Sequence, residues 1–91
     1  MTSLMKVFGG KAQTKLLQYM LEHPNRVFNQ TGLAHFLDCS PSTVARVIAP
    51  LVEEGIIVCE QVSGQMKIIA LNPESEKARV LMGFYEAFKR L

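Results

Sequence analysis

The stretch SPSTVARVIAPLVEEGII, residues 40–57, decides the fold. Ser40 suits the N-cap of a helix, and Pro41 suits its first position, where the missing N–H costs no hydrogen bond. Apolar side chains then recur at helical spacing until residues 54–55, where Glu and Gly precede a β-branched run. The buried stripe of this helix is predicted to consist of Val44, Val47, Ile48 and Leu51.

Two helices are predicted upstream of this stretch. The first covers residues 11–22 and stops at His23-Pro24, because Pro cannot continue the hydrogen-bond ladder of a helix. The second is short and begins after an Asn29 N-cap. Asp38 and Cys39 then form a tight corner, since Asp can adopt a left-handed backbone conformation. The short helix is predicted to bury Leu33, Phe36 and Leu37.

Downstream, two apolar, β-branched runs at residues 56–62 and 66–71 flank Ser63-Gly64 and predict a hairpin. Asn72 is then predicted to cap a last helix, with Pro73 at its first position and the C-terminus at its end. The predicted order is helix, helix, helix, hairpin, helix. The fold class is therefore mainly α with a β-hairpin, in a single domain of residues 1–91.

Composition limits the functions that this chain can have. With 91 residues, 10.2 kDa and 48% hydrophobic residues, it can bury one small core but cannot form a two-lobed enzyme. The net charge of +2 permits nucleic-acid binding without requiring it. Two cysteines are too few for a disulfide scaffold, and no apolar run approaches the roughly 18 residues of a membrane span. We therefore expect a cytoplasmic protein with reduced thiols.

Residues 11–72 resemble the winged helix-turn-helix domains of bacterial and archaeal transcription regulators, a broad group that includes MarR-like and ArsR-like proteins. The resemblance is carried by residues 40–57 and by FNQTGLAHFLDCS, residues 28–40. It implies that the helix after Ser40 is a recognition helix and that the hairpin is a wing. It also implies double-stranded DNA as the partner and regulation of transcription as the function. Residues 1–10 are then an N-terminal arm, and residues 73–91 form a C-terminal helix.

A helical wheel of the recognition helix indicates which residues could read DNA. At about 100° per residue, Ser42, Arg46, Ala49 and Glu53 lie opposite the buried stripe, with Thr43 at the edge. Arg can bind guanine O6 and N7, and hydroxyls can donate to bases or phosphates. An ordinary solvated helix face, or ordinary capping by the hydroxyls and amides, is the alternative. The candidate DNA contacts are Ser40, Ser42, Thr43 and Arg46, with Gln30 and Thr31 on the preceding helix and Gln65 and Lys67 on the wing.

The C-terminal helix has a wider apolar surface than one core requires. Its apolar arc covers roughly 220°, against the stripe of about 100° that a helix packed on one side needs. One flank, around Ala78 and Tyr85, is predicted to pack on the winged-helix body. A second copy of the chain is the simplest cover for the other flank. The alternative cover is the first helix together with the N-terminal arm residues Leu4, Met5, Val7 and Phe8. The predicted dimer interface consists of Val80, Phe84, Ala87 and Leu91.

A dimer of this kind would place two recognition helices in successive major grooves and block transcription by occupying an operator. No nucleophile elbow or phosphate-binding loop is present, so we expect no enzyme and no cofactor. The two cysteines and two histidines lack the spacing of metal ligands. Two rival functions remain open. One is DNA organisation or plasmid partition, and the other is a protein-binding winged-helix module, which the exposed Glu53 and the single wing cation favour.

Overall fold

The computed structural model describes residues 7–9, 11–64 and 66–91. Helices and strands follow one another in the predicted order, with a short additional strand before the second helix. Their bounds are α1 Ala12–Glu22, β1 Phe28–Asn29, α2 Gln30–Leu37, α3 Pro41–Glu53, β2 Ile57–Ser63, β3 Met66–Leu71 and α4 Glu76–Lys89.

The predicted hairpin is confirmed, with β2 shifted by one residue, and it belongs to a three-stranded antiparallel sheet of order β1-β3-β2. A bulge between Gln61 and Ser63 interrupts the register near the tip. Strand β1 was not predicted. Its two residues pair with Ile69 and Ile68 of β3, and a run that short has no periodicity to detect.

The core lies between the helices and one face of the sheet. The predicted stripe of α3 is confirmed, because Val44, Ile48 and Leu51 are buried and Val47 is half-buried. Burying each such side chain stabilises the fold by about 1.5–3 kcal/mol relative to leaving it exposed. The largest fully buried side chains come from α1, α2, α3 and the sheet, and are Leu16, Met20, Leu33, Val44, Ile57 and Ile69.

The predicted burial of Phe36 is wrong. Helix α2 buries Leu33 and Ala34, whereas Phe36 is 37% exposed and Leu37 is half-buried. The Phe36 ring stacks on Tyr19 of α1, with ring centroids 3.8 Å apart. This aromatic contact keeps Phe36 at the edge of the core, and Ala34 is buried in the core in its place.

The predicted start of the last helix is also wrong. Ser75 is the N-cap of α4, and its Oγ accepts from the Ala78 N–H at 3.1 Å. Asn72 instead closes the preceding turn, where its Oδ1 accepts from the Glu74 N–H at 3.1 Å and its Nδ2 donates to the Gly55 carbonyl at 3.0 Å. These bonds engage the Asn72 side chain, so the chain makes one more turn before the helix begins.

Candidate nucleic-acid interface

A left-handed corner sets the angle between α2 and α3. Asp38 has φ 56° and ψ 51°, as its predicted corner position requires. The Cys39 N–H then donates to the Ala34 carbonyl at 2.9 Å, which closes the end of α2. The Gln30 amide also donates from Nε2 to the Pro41 carbonyl at 2.7 Å and so joins the start of α2 to the start of α3. The two helices are therefore fixed as a unit.

Three hydroxyls and a guanidinium gather at the N-terminus of α3. Ser40 is the N-cap, and its Oγ lies 3.0 Å from both the Ser42 and the Thr43 hydroxyl oxygens. Arg46 donates from Nη2 to the Thr43 hydroxyl at 3.3 Å. Ser40, Ser42 and Arg46 are exposed and Thr43 is half-buried. The structure thus brings all four predicted α3 residues together at one surface.

This surface has the chemistry that DNA recognition requires. The N–H groups at the start of a helix attract anions such as phosphate. A guanidinium carries five N–H donors, and the bond to Thr43 uses one of them. The remaining donors suit a guanine edge or a phosphate.

The two predicted DNA contacts on α2, Thr31 and Gln30, differ in their exposure. Thr31 is exposed in the first turn of the helix. Gln30 is half-buried, and one N–H of its Nε2 donates to the Pro41 carbonyl. An amide of this kind has a second N–H and a carbonyl oxygen for other partners. This hydrogen bond was not predicted from the sequence, because Pro41 lies eleven residues from Gln30 and helix capping involves only residues close in the chain.

The wing residues are Gln65 and Lys67. Gln65 lies outside the described residues. Lys67 is exposed on β3 opposite Gln61 of β2 and lines a groove between the sheet and α3. Exposed residues of α3 line the same groove. Lys67 therefore lies on the side of the molecule on which α3 is exposed.

The groove, here called the α3–wing groove, was not predicted from the sequence. It has a volume of about 360 Å³ and is mainly apolar, with Gln30 and Glu53 also in its lining. The sign of this groove in the sequence is Ala49, an apolar residue on the exposed side of the helical wheel. Sequence alone did not place the sheet opposite it. The groove walls carry Ala45, Ala49 and Val52 from α3 and Cys59, Lys67 and Ile69 from the sheet.

At the C-terminal end of α3, an ion pair joins the helix to α4. The Lys77 ammonium donates to the Glu54 carboxylate, and both side chains are exposed. This hydrogen bond and the Lys77 charge lower the pKa of Glu54 from its usual value. Gly55, with φ 78°, then ends the helix, as its lack of a Cβ permits. Glu53, by contrast, is exposed on the side of α3 that carries Ser42 and Arg46.

Helix α4 packs with one flank on the body. Ala78 and Tyr85 are buried, and the Tyr85 hydroxyl donates to Glu22 Oε2 of α1 at 3.1 Å. Burial and the Glu22 carboxylate raise the pKa of Tyr85 above its usual value of 10.0. This is the flank that the sequence assigned to the core.

The other flank of α4, with Leu91 beyond its end, is exposed in the single chain. Val80 is 69% exposed, Phe84 42% and Leu91 95%, and Ala87 is exposed as well. Phe8 of the N-terminal arm lines a cleft of about 330 Å³ beside Phe84 but remains 61% exposed. The arm residues Leu4 and Met5, predicted as an alternative cover, lie outside the described residues.

The remaining chemical groups are few. Cys39 and Cys59 are both half-buried free thiols. Within residues 7–9, 11–64 and 66–91, no three His, Cys, Asp or Glu side chains lie close enough together to hold a metal ion. In the same part of the chain, no helix has the length and apolar character needed to span a bilayer.

The fold is that of solved transcription regulators. The chain is similar to a possible transcriptional regulator from Methanosarcina mazei, with 20% identity and a TM-score of 0.65 over 89% of this chain and 71% of that one. It is also similar to Staphylococcus aureus MepR in a DNA complex, with 18% identity and a TM-score of 0.65 over 93% and 72%. A further MepR structure, described as a transcription regulator of the multidrug efflux pump MepA, has 18% identity and a TM-score of 0.64 over 96% and 65%.

No family model and no curated protein matches the sequence. Identities of 18–20% establish the fold and nothing finer. The order of helices, the left-handed corner before α3 and the antiparallel hairpin agree with that likeness. The chain therefore has the winged helix-turn-helix fold, in which α2 and α3 form the helix-turn-helix and β2–β3 form the wing.

Proposed function

We propose that this chain binds double-stranded DNA through the N-terminal half of α3 and regulates transcription by occupying an operator. The observation that carries the proposal is the hydrogen-bonded group of Ser40, Ser42, Thr43 and Arg46 at the start of α3. The N-terminal residues of a recognition helix are the ones that meet base edges in this kind of domain. Arg46 would read a base pair, and the hydroxyls would bind phosphates or bases.

The fold that this chain shares with solved transcription regulators supports this proposal. MepR, whose fold this chain shares, has been solved as a DNA complex. Thr31, exposed on α2, and Lys67, exposed on the wing, would hold the phosphate backbone. Gln65 belongs to the same proposal as a wing contact, and Gln30 would add its carbonyl oxygen to an interface that it already stabilises through Pro41.

Dimerisation through α4 is the second part of the proposal. Val80, Phe84, Ala87 and Leu91 form an exposed apolar flank of a kind that soluble monomers seldom present. A two-fold axis beside this flank would bury it twice and bring a second α3 to the DNA. Residues 1–10 would then be an arm, residues 11–72 the DNA-binding unit and residues 73–91 the dimerisation segment of one domain.

The same proposal describes a cytoplasmic binding protein and not an enzyme. The support is the fold, which is shared with regulators, and the lack of recognisable catalytic motifs in the sequence. No cofactor has a part in the mechanism, because occupancy of DNA is the whole of the action.

The test is binding of a fluorescent 30-base-pair genomic duplex, measured by anisotropy at rising salt. With Lys67 as the cationic phosphate contact of each protomer, a dimer neutralises about two phosphates, so log K should fall against log salt with a slope of about −1.8. Failure to bind at low salt would contradict the proposal.

A protein-binding module is the second candidate. Glu53 lies on the α3 surface, and Lys67 is the only Lys or Arg in residues 57–71. Both features weaken attraction to phosphate. The anisotropy experiment separates the two functions, because a protein-binding module gives no saturable, salt-dependent signal with DNA.

A further inference from the structure

The α3–wing groove is an open apolar surface beside the proposed DNA contacts. Its helical wall contains Ala45 and Ala49, both exposed, and its opposite wall contains Ile69, Cys59 and Lys67. On a helical wheel, Ala49 lies within roughly 20° of Ser42 and 60° of Arg46. The helical wall of the groove therefore continues the surface that Ser42 and Arg46 occupy.

Charge is arranged unevenly around the groove. Cys59 pairs with Ile69 and Gln61 with Lys67, so Lys67 lies toward the tip of the wing. Glu53 lies at the opposite limit, in the last turn of α3. A polyanionic strand that follows the groove would be attracted at the Lys67 side and repelled near Glu53.

The major-groove edge of DNA presents one apolar group, the 5-methyl of thymine. Small apolar side chains such as Ala make apolar contacts with this methyl group. Ala45 and Ala49 leave room for such an approach, because their side chains are short and the groove beside them is open.

We propose that the α3–wing groove recognises thymine methyl groups, with Ala45 and Ala49 against the methyls and Lys67 on a phosphate of the same strand. The chain then selects sites in which thymine lies next to the base pair bound by Arg46. This inference rests on the proposed function, since it assumes that α3 enters the major groove. It adds a base preference that the fold alone does not specify.

Deoxyuridine provides a direct test, because it lacks the 5-methyl group and otherwise pairs like thymidine. A 30-base-pair duplex is first selected from a random pool by the wild-type protein. The same duplex is then synthesised with thymine or with deoxyuridine at every T position. Loss of one buried methyl corresponds to about a fourfold loss of affinity, so we expect at least that ratio between the two duplexes.

One double variant and one control variant locate the effect. Ala45→Ser with Ala49→Ser keeps the helix and makes the wall polar, so the thymine-to-uracil affinity ratio should fall to near one. Val27→Ser, at an exposed apolar residue that belongs to neither proposed interface, is the control and should keep the wild-type ratio. Circular dichroism confirms that each variant is folded before binding is measured.

The outcomes separate the two proposals. If no duplex is enriched and none binds at low salt, the proposed function itself is wrong. If DNA binds but thymine and uracil duplexes bind equally, the groove does not read methyl groups, whereas the DNA-binding function stands. If the ratio persists in the Ala45→Ser, Ala49→Ser protein, the methyl effect arises in the DNA and the inference is overturned.

Discussion

Helices α3 and α4 have similar buried sides and different exposed sides. Both begin at a Ser N-cap and both bury apolar side chains against the same core. The exposed N-terminal half of α3 carries Ser42 and Arg46, whereas the exposed flank of α4 carries Val80 and Phe84. The buried side of each helix thus indicates how the helix packs in the fold, whereas its exposed side indicates which kind of partner it binds.

The two exposed surfaces imply partners of different chemistry. Hydroxyls and a guanidinium keep their hydration until a polar partner replaces it, which suits DNA. Exposed apolar side chains gain free energy when any apolar surface covers them, which suits a second copy of the chain.

Phe84→Glu should abolish the dimer. A carboxylate in a symmetric apolar interface is buried without a partner and lies close to its two-fold copy. Light scattering at micromolar concentration should give twice the chain mass of 10.2 kDa for the wild type and 10.2 kDa for the variant. Val52→Glu, at an exposed apolar residue of α3, is the control and should remain dimeric. A wild-type mass of 10.2 kDa would contradict the assignment of the α4 flank.

Leu51→Ala should lower the free energy of unfolding by about 2–5 kcal/mol, because it leaves a cavity where α3 packs on the core. Val52→Ala, at the next residue, should change it by less than about 0.5 kcal/mol, since the side chain is exposed. Guanidinium denaturation of both variants measures the difference. Equal losses would show that α3 does not have the two sides described above.

Ser40→Ala and Ser75→Ala should each lower the free energy of unfolding by about 1 kcal/mol, since each hydroxyl accepts from a backbone N–H at a helix start. The Ser40 variant should also weaken DNA binding, because its hydroxyl holds Ser42 and Thr43. The Ser75 variant should leave DNA binding unchanged. Equal effects of the two variants on affinity would remove the distinction between the helices.

The smallest effect concerns the ionisation of Tyr85. Its pKa is raised in the folded protein, first by desolvation and then by Glu22. Folding thus favours the neutral phenol, and this contribution is complete below pH 10.0 and is lost as the pH rises through the folded-state pKa. Ultraviolet titration should show a late ionisation that Tyr85→Phe removes. Ionisation of Tyr85 at the ordinary pKa of a phenol would contradict this packing of α4 on α1.

Much of the fold was predictable because its signals are local. The apolar spacing of residues 44–51 and the Ser40-Pro41 pair correctly indicated α3 and its buried side. The same kind of signal failed at Asn72-Pro73, where the Asn72 side chain bonds to Gly55, seventeen residues away. A cap motif predicts a helix start only when no distant group competes for the capping side chain.

The candidate site was predictable in part for the same reason. The wheel placed Ser42 and Arg46 on one exposed surface, and the structure brings them together with Ser40 and Thr43. The bond from Gln30 to Pro41 and the groove between α3 and the wing depend on how separate elements pack. Neither leaves a pattern within a single element, so sequence periodicity could not reveal them.

Arg46→Ala tests whether the N-terminal half of α3 reads DNA. Affinity for a duplex selected by the wild-type protein is measured by anisotropy for this variant and for Arg90→Ala, an exposed arginine at the end of α4. Loss of a guanine contact should cost about 1–3 kcal/mol, or roughly 5- to 150-fold in affinity, and relax the preference at one base pair. Arg90→Ala should remain within about twofold of the wild type. Equal affinities for the wild-type and Arg46→Ala proteins would contradict the account.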